Sequence, residues 1–233
     1  MKQNKGGFTL METMIALAVM TVLITGFLAV FGPAANSVRK ALTIDEVNRM
    51  QATLERELST LRPGGDDASY GTSFEKAMDW ITNSGTGNTA IILYKYRGNP
   101  GSTRADGTLT PVNDATGEVG KDFVIQPMAR QADDPLLSAD LEAVDGRAFF
   151  VTMRQLVYAA DGSMELGPED KIVDPNNTGS DHTGNSATYP EAVIAFQGSF
   201  YILPTVSIDF IQNNFNPDNF EKAAFVRNMA VRR

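Results

Sequence analysis

The sequence predicts an α+β protein: a long N-terminal α-helix, membrane span plus amphipathic half, packed on an antiparallel β-sheet. Three observations lead there. Residues 13–31 form an apolar run without a charged side chain, and residues 37–61 extend it with apolar positions mostly three and four apart. Beyond Pro63-Gly64-Gly65 the pattern changes to short runs rich in β-branched and aromatic residues, divided by Gly, Asn, Asp and Pro turns. A helix followed by a run of strands is the element order of an α+β domain.

The apolar run comes first in the chain. A helix over its 19 residues covers roughly 28 Å at about 1.5 Å per residue, close to the roughly 30 Å of a bilayer core. Its threonines can bond to carbonyls within the helix and do not spoil a span. A soluble core helix of this length rarely lacks charge. A secretory signal peptide has a shorter apolar core, with small residues at a cleavage site after it. Here the small pair Gly6-Gly7 precedes the run, and Glu12 stands at its entrance. An ordinary uncleaved anchor stays open, because a glutamate near the end of a span can snorkel to the interface.

These residues also carry a resemblance. Gly7-Phe8-Thr9-Leu10-Met11-Glu12 resembles the processing site of type IV pilins and type II secretion pseudopilins, the class III signal peptide. The resemblance implies cleavage by prepilin peptidase after Gly7 and N-methylation of Phe8. It also implies an assembly role for Glu12, paired with the N-terminal amine of a neighbouring subunit. An ionisable group at the centre of a span costs about 2.5–3.5 kcal/mol on insertion scales, and such a pairing accounts for its presence. Pilins often carry a proline in mid-span; here Pro33, after Gly32, lies at the far end, so any kink is expected at the membrane exit.

From residue 37 the pattern is amphipathic. Val38, Leu42, Val47, Met50, Leu54, Leu58 and Leu61 form the apolar stripe, with charges on the other faces. One helix over residues 8–62 would be roughly 80 Å long: 8–35 as transmembrane or filament core, 36–62 as the half that holds the head, with 1–7 as leader and 63–233 as the globular α/β head. A free coiled-coil stalk is the alternative for the second half, but fewer than four clean heptads are present.

In the head, a short helix is expected at 73–82 around Trp80, a packing anchor or a ligand platform. Strands are expected at 90–96 and 122–128, with a surface loop or weak hairpin over 97–120 and a short helix at 135–144. Residues 148–159 and 163–166 flank Asp161-Gly162, a dipeptide suited to a tight hairpin turn. Residues 167–189 read as a long loop; 192–203 and 205–211 read as strands separated or bulged at Pro204. The tail from 220 to 231 is helix or strand, with strand favoured. There is no internal repeat.

Composition narrows function. The net charge is −8, and without Lys2 and Lys5 of the leader it is −10, with 18 basic against 28 acidic residues. Such a chain repels phosphate backbones, so nucleic acid is not an expected partner. There is no cysteine, which excludes thiol chemistry. The lone His182 lies in a polar loop, without an HExxH or nucleophile elbow, and reads as solvated. The acid pairs Asp66-Asp67, Asp133-Asp134 and Glu169-Asp170 also read as solvated, and no P-loop is present. Asp174, Asn176, Thr178 and Asp181 place oxygens at near-alternate positions, as calcium loops do, but the twelfth position is Asn185 instead of glutamate; an Asx-turn loop is the alternative. Asn176-Asn177-Thr178 also matches a glycosylation sequon.

The expectation is therefore a non-enzymatic pseudopilin or minor pilin with no obligatory cofactor. Its implied partners are prepilin peptidase, other pilin or pseudopilin subunits and an inner-membrane assembly platform. The implied location is the bacterial inner membrane, single-pass with a periplasmic head, and then a filament. The rival reading is a membrane-tethered binding or sensor domain that never polymerises.

Overall fold

Helix α1 (Leu10–Leu58) carries both the apolar run and most of the amphipathic stripe, and its helical assignment continues through Gly32-Pro33. The computed structural model describes residues 9–233, without the side chains of 30, 32, 33, 35, 36, 38–44, 65 and 66. Gly7 and Phe8 lie outside the described residues, as do the side chains of Val38 and Leu42 expected in the stripe. The chain divides into two compact units, Met1–Asn48 and Arg49–Arg233.

In the first unit α1 is apolar all round over residues 13–31, and every described side chain from Thr9 to Ala29 is exposed. Thr13, Thr21 and Thr25 donate their hydroxyls to the carbonyls of Leu10, Leu17 and Thr21, each at 2.8 Å. Their polarity is thus consumed inside the helix. The rings of Phe27 and Phe31, one turn apart, stack at 3.9 Å.

In the second unit Met50, Leu54 and Leu58 of α1 are fully buried. The helix stops at Leu58, short of the expected 62. Ser59 and Thr60 turn their hydroxyls back onto the carbonyls of Glu55 and Arg56, and Arg62 folds back onto Glu57. Leu61 therefore lies beyond the helix and is exposed. Gly64, at φ 80°, supplies the left-handed residue of the turn that follows. Helix α2 (Ser73–Asn83) is capped by Thr72, whose hydroxyl accepts from the Glu75 amide.

The main sheet is antiparallel. Strands β1 (Ile91–Thr103), β2 (Leu109–Pro111), β4 (Phe149–Tyr158), β8 (Val193–Ile202) and β9 (Phe225–Arg232) run in the order β2-β1-β4-β8-β9. Strand β3 (Val124–Gln131) pairs with β1, and β5 (Met164–Leu166) with β4. The Asp161-Gly162 hairpin forms where expected, with Gly162 at φ 82°. Alternation along the strands splits the core between the two sheet faces. One face sets Leu93, Val151, Phe196 and Met229 against α1 and α2. The other sets Ile92, Tyr94 and Phe150 under α3 (Leu137–Glu142) and the chain after β8. On β8, a Cβ at Gly198 would meet the methyl of Met229, so glycine is what lets β9 pack there.

Of the loop and weak hairpin left open over 97–120, the hairpin forms. Strand β1 runs on to Thr103, beyond the expected 96, and returns as β2; the Tyr96 hydroxyl donates to Leu109 O at 2.8 Å and closes the hairpin. Two other expectations are corrected. First, the expected 167–189 loop contains a small hairpin of β6 (Val173–Asp174) and β7 (Asn177–Asp181). The Gln155 amide brackets Val173 like a substitute strand, accepting from its N–H and donating to its carbonyl, both at 2.8 Å. Second, residues 205–211 are not a strand: the chain enters a π-helical turn, Phe210–Asn214. Six-residue α3 leaves much of the second sheet face bare, and Val206, Ile208, Phe210 and Ile211 cover it. Tertiary burial here overrides β propensity.

Candidate functional site

The described part of the N-terminal site is built by Thr9 and Glu12. Thr9 precedes α1 and Glu12 lies in its first turn. The Glu12 Oε2 accepts from the Thr9 amide and from the Thr9 hydroxyl, both at 2.9 Å, and the Glu12 amide donates to Thr9 Oγ1 at 3.3 Å. This is a reciprocal capping box, which satisfies amides that a helix start otherwise leaves without partners. Glu12 is thus oriented by its own chain, and its carboxylate sits at the positive end of the helix dipole. From there Leu10–Ala29 supplies 20 residues long and apolar enough to cross a membrane, none buried.

Residues 2–28 match the prokaryotic N-terminal methylation motif. The methylation motif is the class III signal peptide of type IV pilins, so over these residues the chain is similar to pilin- and pseudopilin-like substrates of prepilin peptidase. Together with the apolar helix it indicates membrane anchoring. The α+β architecture, a helix leading into an antiparallel sheet, is consistent with a pilin-like fold. Comparison with curated proteins and with solved structures returned no match. The methylation motif spans the Gly7-Phe8 junction and Glu12, and α1 carries its apolar part.

Where α1 ends, the head buries charges that look unremarkable in sequence. Lys76 is fully buried; its Nζ donates to Glu57 Oε1 at 3.0 Å, Asp67 Oδ2 at 2.8 Å and Thr60 O at 3.1 Å. It also lies 4.6 Å from the centre of the Trp80 ring. Arg62 closes on the same Glu57 at 2.6 Å. Burial opposes ionisation of Glu57, but the Arg62 hydrogen bond and the Lys76 and Arg62 charges outweigh it and hold its pKa below the ordinary range. A second cluster centres on Arg130, which meets Asp106 and Asp134 at 2.8 Å and Asp140 at 2.9 Å. Asp140 also receives Arg104 and the Tyr94 hydroxyl, each at 2.6 Å. Beside these clusters opens a cavity of about 400 Å³, lined by Arg62, Trp80, Arg104, Arg130, Pro135 and Leu136 among others.

Of the acids expected to be solvated, Asp67 and Asp134 are instead anchors of these clusters. Asp133, Glu169 and Asp170 are exposed as expected, Glu169 meeting Arg154 at 3.1 Å. Trp80 is the packing anchor expected, 5% exposed, and its indole N–H has no hydrogen-bond partner among the described residues. His182 is held at both ring nitrogens, by Ser180 at 3.2 Å and Thr188 at 3.1 Å, so it is not simply solvated. In the proposed calcium loop, Asp174 caps the Asn176 amide at 2.8 Å and Asp181 caps that of Thr183 at 2.9 Å. Asp181 also faces Lys171 at 3.5 Å, and Asn176 donates to Glu191. These are Asx turns. Among the described residues no group of three or more His, Cys, Asp or Glu is arranged to hold a metal ion.

The residue types of the capping box were visible in Thr9-Leu10-Met11-Glu12 as the T-x-x-E pattern ahead of an apolar run. The buried clusters had no such local signature.

Proposed function

We propose that the chain is a non-enzymatic structural subunit, a pseudopilin or minor pilin, of a type IV filament or type II secretion-like system. Prepilin peptidase cuts it after Gly7 and methylates Phe8, and the mature chain leaves the inner membrane for a filament by stacking of its N-terminal helices. The head, residues 63–233, faces the periplasm, and residues 36–62 join it to the helical core. One observation carries the reading: a methylation motif over residues 2–28 runs straight into an exposed apolar helix whose first turn holds a single carboxylate. In lipid that carboxylate is costly, and a neighbouring subunit's N-terminal amine is its natural counter-charge.

The capping box sharpens the test. Glu12→Gln keeps a side chain able to complete the box but removes the charge, whereas Thr9→Ala weakens the box and keeps the charge. The expected result is that both variants are processed, that Thr9→Ala still enters filaments, and that Glu12→Gln is lost from them by tenfold or more. Normal incorporation of Glu12→Gln would show that its charge has no assembly role, and a chain that tolerates it without being processed would be the tethered, non-polymerising domain.

A further inference from the structure

The sheet ends in two long edges, and they are finished differently. On β3, Pro127 offers no N–H to a further strand, and its carbonyl is occupied by Arg56 Nη2 at 3.1 Å. That edge is blunted. Strand β9 instead pairs with β8 through eight successive residues, from Val193↔Arg232 to Phe200↔Phe225, without a register shift. The Arg233 amide donates to Ala192 O at 2.9 Å. In an antiparallel ladder this turns the backbone groups of 225, 227, 229 and 231 toward β8 and those of 226, 228, 230 and 232 outward. Among the described residues none of those four N–H groups donates to anything outside the strand ladder. Val226, Asn228, Ala230 and Arg232 are all exposed, and no proline or bulge interrupts the strand. Such an edge is a template for another strand.

Its charge says what kind. Residues 225–233 contain Arg227, Arg232 and Arg233 and no acid, in a chain of net charge −8. Arg227 donates only to its neighbour's carbonyl, and Arg233 to the carbonyls of Ser186 and Tyr189. None of the three meets a carboxylate among the described residues, whereas Arg62, Arg104, Arg130 and Arg154 all do. Two copies joined edge to edge would bring arginines together with no acid; an acidic strand would neutralise them.

We propose that the outer edge of β9 receives an extended, acidic segment of a partner protein as one more strand of the sheet. Backbone pairing supplies the affinity and the arginines select the partner. The inference deepens the filament-subunit reading, and rests on it only for where the partner is met.

The test uses the full-length chain in its own membranes, with a benzophenone amino acid at Val226. The expected result is a covalent adduct with another protein, whose cross-linked peptide holds more Asp and Glu than Lys and Arg. Ala230→Pro removes an outward N–H that β8 does not use, and Arg232→Glu reverses the local charge; each should reduce the adduct at least tenfold. In the unsubstituted protein, the amides of 226, 228, 230 and 232 should exchange at least tenfold more slowly in membranes than in detergent. An adduct only with a second copy, one with a basic or neutral segment, one insensitive to both variants, or no adduct overturns the proposal. A processed chain without an adduct defeats the docking strand alone. An unprocessed chain with one defeats the filament reading and leaves the strand standing.

Discussion

Glu12 and Lys76 illustrate opposite uses of a lone charge. Glu12 is exposed and held by two hydrogen bonds from Thr9, free to meet a further partner. Lys76 has no exposure and three acceptors, so its charge is spent inside the head. Lys76→Met should leave Glu57 and Asp67 short of a buried counter-charge and lower head stability by about 3–5 kcal/mol, read from the denaturant midpoint; an unchanged midpoint at pH 7 contradicts this. The pH dependence follows from Glu57, whose folded pKa lies below its unfolded value of about 4.3. Its contribution is complete above the unfolded value and is lost as pH falls through the folded one. In Lys76→Met the depression is smaller, so the acid-induced fall in midpoint below about pH 4 should be shallower than in the unsubstituted chain.

At the scale of elements, α1 does two jobs in one helix. Leu17 is 65% exposed, whereas Leu54 is fully buried against the sheet and α2. Leu54→Ala should cost the head about 2–5 kcal/mol, while Leu17→Ala should leave its unfolding unchanged in detergent; a comparable loss in both would contradict the division. Much of this was legible in sequence. The helical period of Met50, Leu54 and Leu58, the short helix around Trp80 and the Asp161-Gly162 turn are local signals, and each element formed within a few residues of its expected bounds. What was not legible depends on distant partners. Glu57 and Lys76 are 19 positions apart, Asp106 and Arg130 are 24, and Val173 is paired by Gln155 from 18 away. Read locally, each looks like a solvated charge or a loop residue. The 205–211 segment failed for the same reason: its alternation suits a strand, but the bare second face of the sheet takes Val206, Ile208 and Ile211 as cover.

For the whole molecule, the recognisable and the individual parts are separate. The methylation motif is confined to residues 2–28, and the head builds its own core, ion clusters and open β9 edge. Processing and assembly would follow from the first part, and the choice of neighbour from the second. The central claim is that residues 1–7 are a leader removed before assembly. Intact mass and N-terminal sequencing of the protein recovered from native membranes test it most directly. The account predicts a chain beginning at N-methyl-Phe8, without Met1 to Gly7. A chain still beginning at Met1, with Phe8 internal and unmethylated, would contradict it.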